Sequence, residues 1–195
     1  NGDNEEFGFE TAIEYLTPYI SAEASELDAQ IFRLYRLKRN ISGERLFEYE
    51  KEHELPPDAV VTPDELNKFL QKDELEEFFT ISGKMVETLS TDLLINEIVE
   101  DSRESKSVRK RIERMPQSER DWLLYISGII SEGEKSEIKR LYELRSSIVH
   151  ESDDFIKKVN VPSDVERSMN VIDHLHEELH GIGLDHRFGD VITRE

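Results

Sequence analysis

Apolar residues in this chain return every three or four positions and nowhere alternate with polar ones over the length of a strand. That period lines one side of an α-helix, whereas a half-buried strand needs a period of two. Val165, Met169, Ile172, Leu175 and Leu179 form the clearest stripe, and Leu27, Ile31, Leu34, Tyr35 and Lys38 fall near helical spacing as well. The pattern predicts helices over 5–16, 21–39, 63–79, 84–101, 103–114, 118–130, 134–150 and 163–181, with a further short helix or an extension over 44–53. Without strands, such stripes are buried only by helix against helix. The expected fold is therefore all-α, an antiparallel helical bundle.

The breaks between helices carry start signals. Thr62, Pro63 and Glu65 read as N-cap, first-turn proline and capping-box acid. Ser118 reads as the cap after "MPQSERDW", and Ser163 or Asp164 as the cap after "VNVPSDVE". The loop "LPPDAVVTPDE" is the one candidate boundary. Residues 1–60 are expected to be an N-terminal helical extension, separate from the bundle of 61–195 or part of the same domain.

Composition removes several chemistries. There are no cysteines, so disulfides, thiolate zinc sites and cysteine nucleophiles are excluded, and a reducing compartment fits. The longest apolar stretch, "WLLYISGII", is too short to span a bilayer. No basic segment followed by an apolar run opens the sequence, so no secretion signal is expected and the cytoplasm is the expected location. The formal net charge of −19 is spread along the chain. This distribution points to a carboxylate-rich surface adapted to salt rather than to an acidic binding arm. It opposes nucleic acid in dilute buffer, but in molar salt the Debye length falls to roughly 3 Å and most of that repulsion disappears.

One stretch breaks the helical pattern. In "LYELRSSIVHESDD", residues 141–154, Arg145 sits seven residues after Ile138, inside a stripe that also holds Leu141, Tyr142, Ile148 and Val149. A charge in an apolar stripe is costly unless it is paired or lies at a wet cleft. His150 follows five residues later, about 140° around an ideal helix, so the two side chains do not share a face. Both can act on one substrate if the helix ends near His150 or if two copies come together. The acidic "ESDD" that follows is consistent with a helix end there.

The run "DWLLYISGIISEGEKSEIKRLYELRSSIVHES" reads as an apolar helix, a "GII" turn and a helix ending in "LRSSIVH". It resembles the HEPN superfamily, whose signature is an Arg followed four to six residues later by a His near the end of a late helix. The pattern "LYxLRSxIVH" is close to its Apea-like branch, and the likeness covers roughly residues 118–155. The resemblance implies an all-α homodimer whose two Arg/His motifs meet in a shared cleft. It also implies a metal-independent endoribonuclease of a toxin–antitoxin, antiviral or stress system, with RNA as substrate and an antitoxin or other partner protein. Arg145 would bind the scissile phosphate and stabilise its developing charge. His150 would act as general base or acid on the ribose 2′-hydroxyl or the leaving oxygen. Neither a cofactor nor a metal is required, because the 2′-oxygen is an internal nucleophile. Ser146 stands directly after the arginine, where many family members carry Asn, Asp or His, and is read as substrate-binding. Glu151 stands where Gly is frequent. The same resemblance also covers non-catalytic HEPN domains that serve as binding or assembly modules.

Two further segments are chemically suggestive. "RESKSVRKRIER", residues 103–114, places Arg103, Lys106, Arg109, Lys110, Arg111 and Arg114 together in an otherwise acidic chain. It is the one plausible phosphate track, with Arg109 and Lys110 as candidate substrate contacts, set against a solvated helix with internal ion pairs. No aromatics interleave to stack bases. "HEELHGIGLDH" fits a zinc-helix pattern through His176, His180 and His186, with Glu177 as base. The sequence has no Met after His186 and no strand signal before the helix. Surface histidines on a bundle helix are the plainer expectation, for His174 as well.

Overall fold

The computed structural model describes residues 26–42, 68, 71–99, 105–150 and 152–184. Among them are seven helices and no strand: α1 (Glu26–Ser42), α2 (Lys72–Val99), α3 (Ser105–Glu113), α4 (Gln117–Ile126), α5 (Glu132–His150), α6 (Ser152–Lys158) and α7 (Val161–His180). The expected all-α helical bundle is what forms. The segments 5–16 and 44–53, and the start signal at Thr62, lie outside the described residues. No helix among the described residues is long and apolar enough to cross a membrane.

Helix α2 is the spine. It packs against α1, α3, α4, α5 and α7. Its buried apolar residues are Leu75, Phe78, Phe79, Met85, Val86, Leu89, Leu93, Leu94 and Ile95, more than one narrow stripe can hold. The spacing predicts two helices here, 63–79 and 84–101, but a single 28-residue helix forms. Gly83 does not break it, because Gly only weakens a helix interior and the packing on either side is continuous. The core centre is aromatic. Phe78 and Phe79 meet edge to face at 5.2 Å between centroids, and Phe79 meets Phe155 of α6 at 5.9 Å.

Helix α1 joins this same core through Ile31, Leu34, Leu37 and Ile41. Gln71, just ahead of α2, donates from Nε2 to the Ile41 carbonyl at 3.0 Å and to Asn40 at 3.4 Å. It thereby satisfies carbonyls left open where α1 ends.

Several ends differ from the pattern. Helix α4 stops at Ile126 rather than continuing to 130, because Gly128 adopts φ 80° and turns the chain. Its N-cap is Pro116, not Ser118, with no side-chain cap. Helix α5 begins with a capping box instead: Ser131 Oγ accepts from Glu134 N at 3.2 Å, and Glu134 accepts from Ser131 N at 2.7 Å. Helix α7 starts at Val161, ahead of Ser163, with Asn160 as N-cap. Helix α6 was not expected from the sequence; its apolar signal is only Phe155 and Ile156, both buried.

Asp164 is the main polar tie across the bundle. It is 5% exposed. It accepts from Arg140 Nε at 3.2 Å and Nη2 at 3.0 Å, and from the Asn160 backbone N–H at 2.8 Å. Arg140 also donates to the Lys158 carbonyl at 2.6 Å. One forked guanidinium thus joins α5, α6 and α7. Asp164→Ala strands these donors, and should lower stability by about 2–3 kcal/mol in urea unfolding, as for other hydrogen bonds to charged groups. An unchanged midpoint would show that the tie is not structural.

Candidate functional site

The buried line of α5 is Ile138, Leu141, Leu144 and Ser147. Arg145 lies on its border, with Tyr142 and Ile148 half-buried beside it, while Val149 is 71% exposed and is not part of the core. The arginine in the stripe is therefore a boundary residue. Its side chain keeps 34% exposure.

Glycine at position 83 shapes this boundary. A Cβ there would stand 2.8 Å from Arg145 Cδ, so the arginine stem occupies the space a side chain would need. Tyr142, one turn before Arg145, donates its hydroxyl to the Gly83 carbonyl at 3.0 Å. Burial, then the nearby Glu87 and Asp121 carboxylates, push the Tyr142 phenol above its ordinary pKa. It stays protonated at neutral pH and works as a fixed donor. The Arg145 Nη1 lies 3.8 Å from Glu87 Oε2, an ion pair too long to be a hydrogen bond. The guanidinium retains donors for an external anion.

Glu87 serves a second arginine. Arg120 is 3% exposed and donates from Nη2 to Glu87 Oε1 at 3.2 Å. Its Nε and Nη2 reach Gln117 Oε1 at 3.1 and 2.8 Å, and its Nη1 reaches the Ile112 carbonyl at 3.5 Å. Gln117 in turn donates to Asp121 Oδ1 at 2.6 Å and to Ser90 Oγ at 3.2 Å. The network crosses α2, α3, α4 and α5 and gives a buried charge the partners it needs. Burial pushes the Asp121 carboxyl up to about 6, against the pull of Gln117, Arg120 and Lys135.

His150 is exposed at the C-terminal end of α5. It lines an open groove of about 440 Å³ with Ser146, Ser147, Glu143, Leu144, Arg140 and Lys158. Arg145 does not line it. The angular separation expected from the sequence holds: Ser146 and His150 share a groove that Arg145 does not line.

The basic residues separate too. Lys110 lines a groove of about 490 Å³ with Ser107, Arg111, Arg114, Met115, Pro116 and Glu119. Arg109 is not part of that lining and acts on Asp92 of α2 instead. Burial raises the Asp92 pKa, and Arg109 and His180 oppose the rise. In the histidine-rich end, His176 is fully buried rather than on the surface, with Nδ1 2.8 Å from the Ile182 carbonyl, to which it donates. Its ring lies 4.5 Å from that of His180. His186 lies outside the described residues, and among those described no group of three or more candidate ligands could hold a metal. His174, expected at the surface, is one-third exposed, with Nε2 2.9 Å from the Ile129 carbonyl and 3.5 Å from Glu134.

Comparison with family models, with curated proteins and with solved structures gave no match. Gly83, Glu87, Arg120, Gln117 and Asp121 were not singled out by sequence reasoning. The signal that could have found Gly83 and Glu87 is a small and an acidic residue within the buried run of α2; Gln117, Arg120 and Asp121 carry no comparable signal.

Two outcomes follow from this geometry. Gly83→Ala replaces a poor helix former, a gain of about 1 kcal/mol, while displacing the Arg145 stem. The variant should unfold within about 1 kcal/mol of wild type yet lose any function that depends on Arg145; full function would sever the link. Asp121 titrates in the folded state near 6, above its ordinary value. The stability conferred by its protonated form is present below about pH 4 and lost as pH rises through about 6. Asp121→Asn should therefore gain stability relative to wild type across that window, by about 1–3 kcal/mol, and keep a constant advantage above it. A difference that does not vary with pH would rule out this titration.

Proposed function

We propose that this chain is a HEPN-like, metal-independent endoribonuclease of a toxin, defence or stress system, acting as a homodimer. The observation that carries the reading is Arg145. Its stem is fixed on Gly83, its nearest acid stands at 3.8 Å, and a third of the side chain remains open. A purely structural arginine in this bundle looks different: Arg120 is 3% exposed and makes close hydrogen bonds. Arg145 is instead built to be rigid and reachable, as a phosphate clamp requires.

In this reading Arg145 binds the scissile phosphate and offsets its developing charge. His150 moves a proton at the 2′-hydroxyl or the leaving oxygen. The two groups lie on different faces of α5, so a complete site takes Arg145 and His150 from two copies meeting in one cleft. Ser146, in the groove with His150, contacts the substrate beside it.

A non-catalytic binding or assembly module of the same class is the second reading. Exposed apolar side chains favour it: Trp122 at 52%, Tyr125 at 38% and Ile126 at 55% lie together on α4. Large apolar groups in one exposed patch often mark contact surfaces.

Cleavage of a labelled tRNA pool in molar KCl with EDTA decides between them. Wild type should cleave. His150→Ala and Arg145→Ala should lose at least about 100-fold in rate, the usual size of a lost acid–base or charge-stabilising group, with helicity intact. No cleavage by folded wild type would favour the binding module.

A further inference from the structure

We infer that the elbow between α3 and α4 is a binding site for the phosphate backbone of single-stranded RNA, formed by Lys110, Arg111 and Arg114. The identity of the polyanion rests on the ribonuclease reading above. The site itself rests on the elbow.

The charge is local and against the trend of the chain. The whole sequence has 44 acidic and 25 basic residues, yet residues 105–114 hold five Lys and Arg against the single Glu113. Lys110 and Arg111 lie in the last turn of α3 and Arg114 in the turn just after it, where the helix dipole favours positive charge. Among the described residues none of the three forms an ion pair, although acids are abundant on this surface. Three clustered, solvent-exposed cations without an acidic partner among the described residues are in place to receive an outside anion.

The shape agrees. The three side chains line one open groove of about 490 Å³ together with Met115 and Pro116. Glu119 is its one carboxylate, so three cations face one anion. The apolar lining suits the face of a ribose, and the cations suit the phosphates on either side of it. The arrangement is also held in place. Ile112, between Arg111 and Arg114, is buried at 2%, and its carbonyl accepts from Arg120. Arg120 is the residue that shares Glu87 with Arg145. The backbone beneath the groove and the candidate catalytic arginine are thus linked through the same buried guanidinium. Arg109, which acts on Asp92, takes no part.

The test is binding of a short fluorescent 2′-O-methyl oligouridine, which has no free 2′-hydroxyl and cannot be cleaved by the proposed chemistry. Its anisotropy is followed at several salt concentrations with wild type, the combined Lys110→Gln, Arg111→Gln, Arg114→Gln variant, and Lys139→Gln as a control on exposed α5. The combined variant should bind at least tenfold more weakly. Its log–log salt slope should be shallower than wild type by about 2, since each single-strand phosphate contact contributes about 0.7. Lys139→Gln should match wild type. If the combined variant does not keep wild-type helicity, Lys110→Gln and Arg114→Gln alone should each reduce the slope by about 0.7. Equal affinity and slope in wild type and variants, or no binding by wild type, overturns the site. So does displacement by polyaspartate as effective, charge for charge, as by RNA. The two readings fail separately: wild type that binds the oligomer through the groove but cleaves no unmethylated RNA overturns the ribonuclease alone. Wild type that cleaves RNA while the combined variant binds normally overturns the groove alone.

Discussion

Burial of α2 on several sides at once is the constraint on which the rest of this molecule depends. A surface helix needs one apolar stripe, but α2 meets five other helices and must satisfy each. It does so with two kinds of face. On one side it offers large side chains, with Phe78 and Phe79 meeting and Phe79 reaching Phe155 of α6. Toward α4 and α5 it offers Gly83, Glu87 and Ser90. Small residues let a backbone come close, and the close approach is what allows Tyr142 to reach the Gly83 carbonyl and Arg145 to lie on Gly83 itself. The site is a consequence of how the spine is packed on this side.

Glu87 then sets the electrostatics. One carboxylate faces a buried arginine through one oxygen and a half-open arginine through the other. Its charge meets the main requirement of Arg120, whose remaining donors go to Gln117 and the Ile112 carbonyl. Less of it is left for Arg145, at 3.8 Å. A single glutamate between two arginines leaves a net positive charge, and geometry decides which arginine presents it. The closer, drier contact neutralises Arg120, so the excess falls on Arg145. Asp121, buried nearby, does not cancel it fully at mildly acidic pH, because burial keeps its carboxyl partly protonated up to about 6.

How much of this could be read from the sequence depends on the range of the forces involved. Apolar periodicity is local, so the all-α bundle and most helices were legible, α5 and α7 nearly to their ends. Boundaries set by single residues were not. The gap expected between 79 and 84 lies mid-helix, and Gly128 ends α4 four residues early by taking positive φ. Arg145 stood out because it violates the stripe, which is local. Its exposure and its neighbour Glu87 were invisible, since they belong to a contact between α2 and α5. Val149 fitted the stripe by spacing but is exposed, whereas Leu144 and Ser147 take the buried positions. The stripe on α5 is rotated by about one residue from the one that hydropathy alone selects. That rotation moves Arg145 from core to border.

The acidic composition acquires a more specific meaning beside this geometry. A chain of net charge −19 repels polyanions at long range, and that repulsion is screened most effectively in concentrated salt. Short-range contacts are screened less when the cation is fixed and partly dry. Arg145, whose stem lies on Gly83, is of this kind, whereas at the α3–α4 elbow only the backbone at Ile112 is held, by Arg120. An exposed, mobile lysine is not. High salt therefore removes the general repulsion while leaving preorganised contacts in greater proportion, so an acidic surface is compatible with the proposed phosphate contacts where salt is high. In the proposed reading, selectivity in such a setting comes from the cation whose position the bundle dictates, Arg145, because screened, mobile cations contribute little.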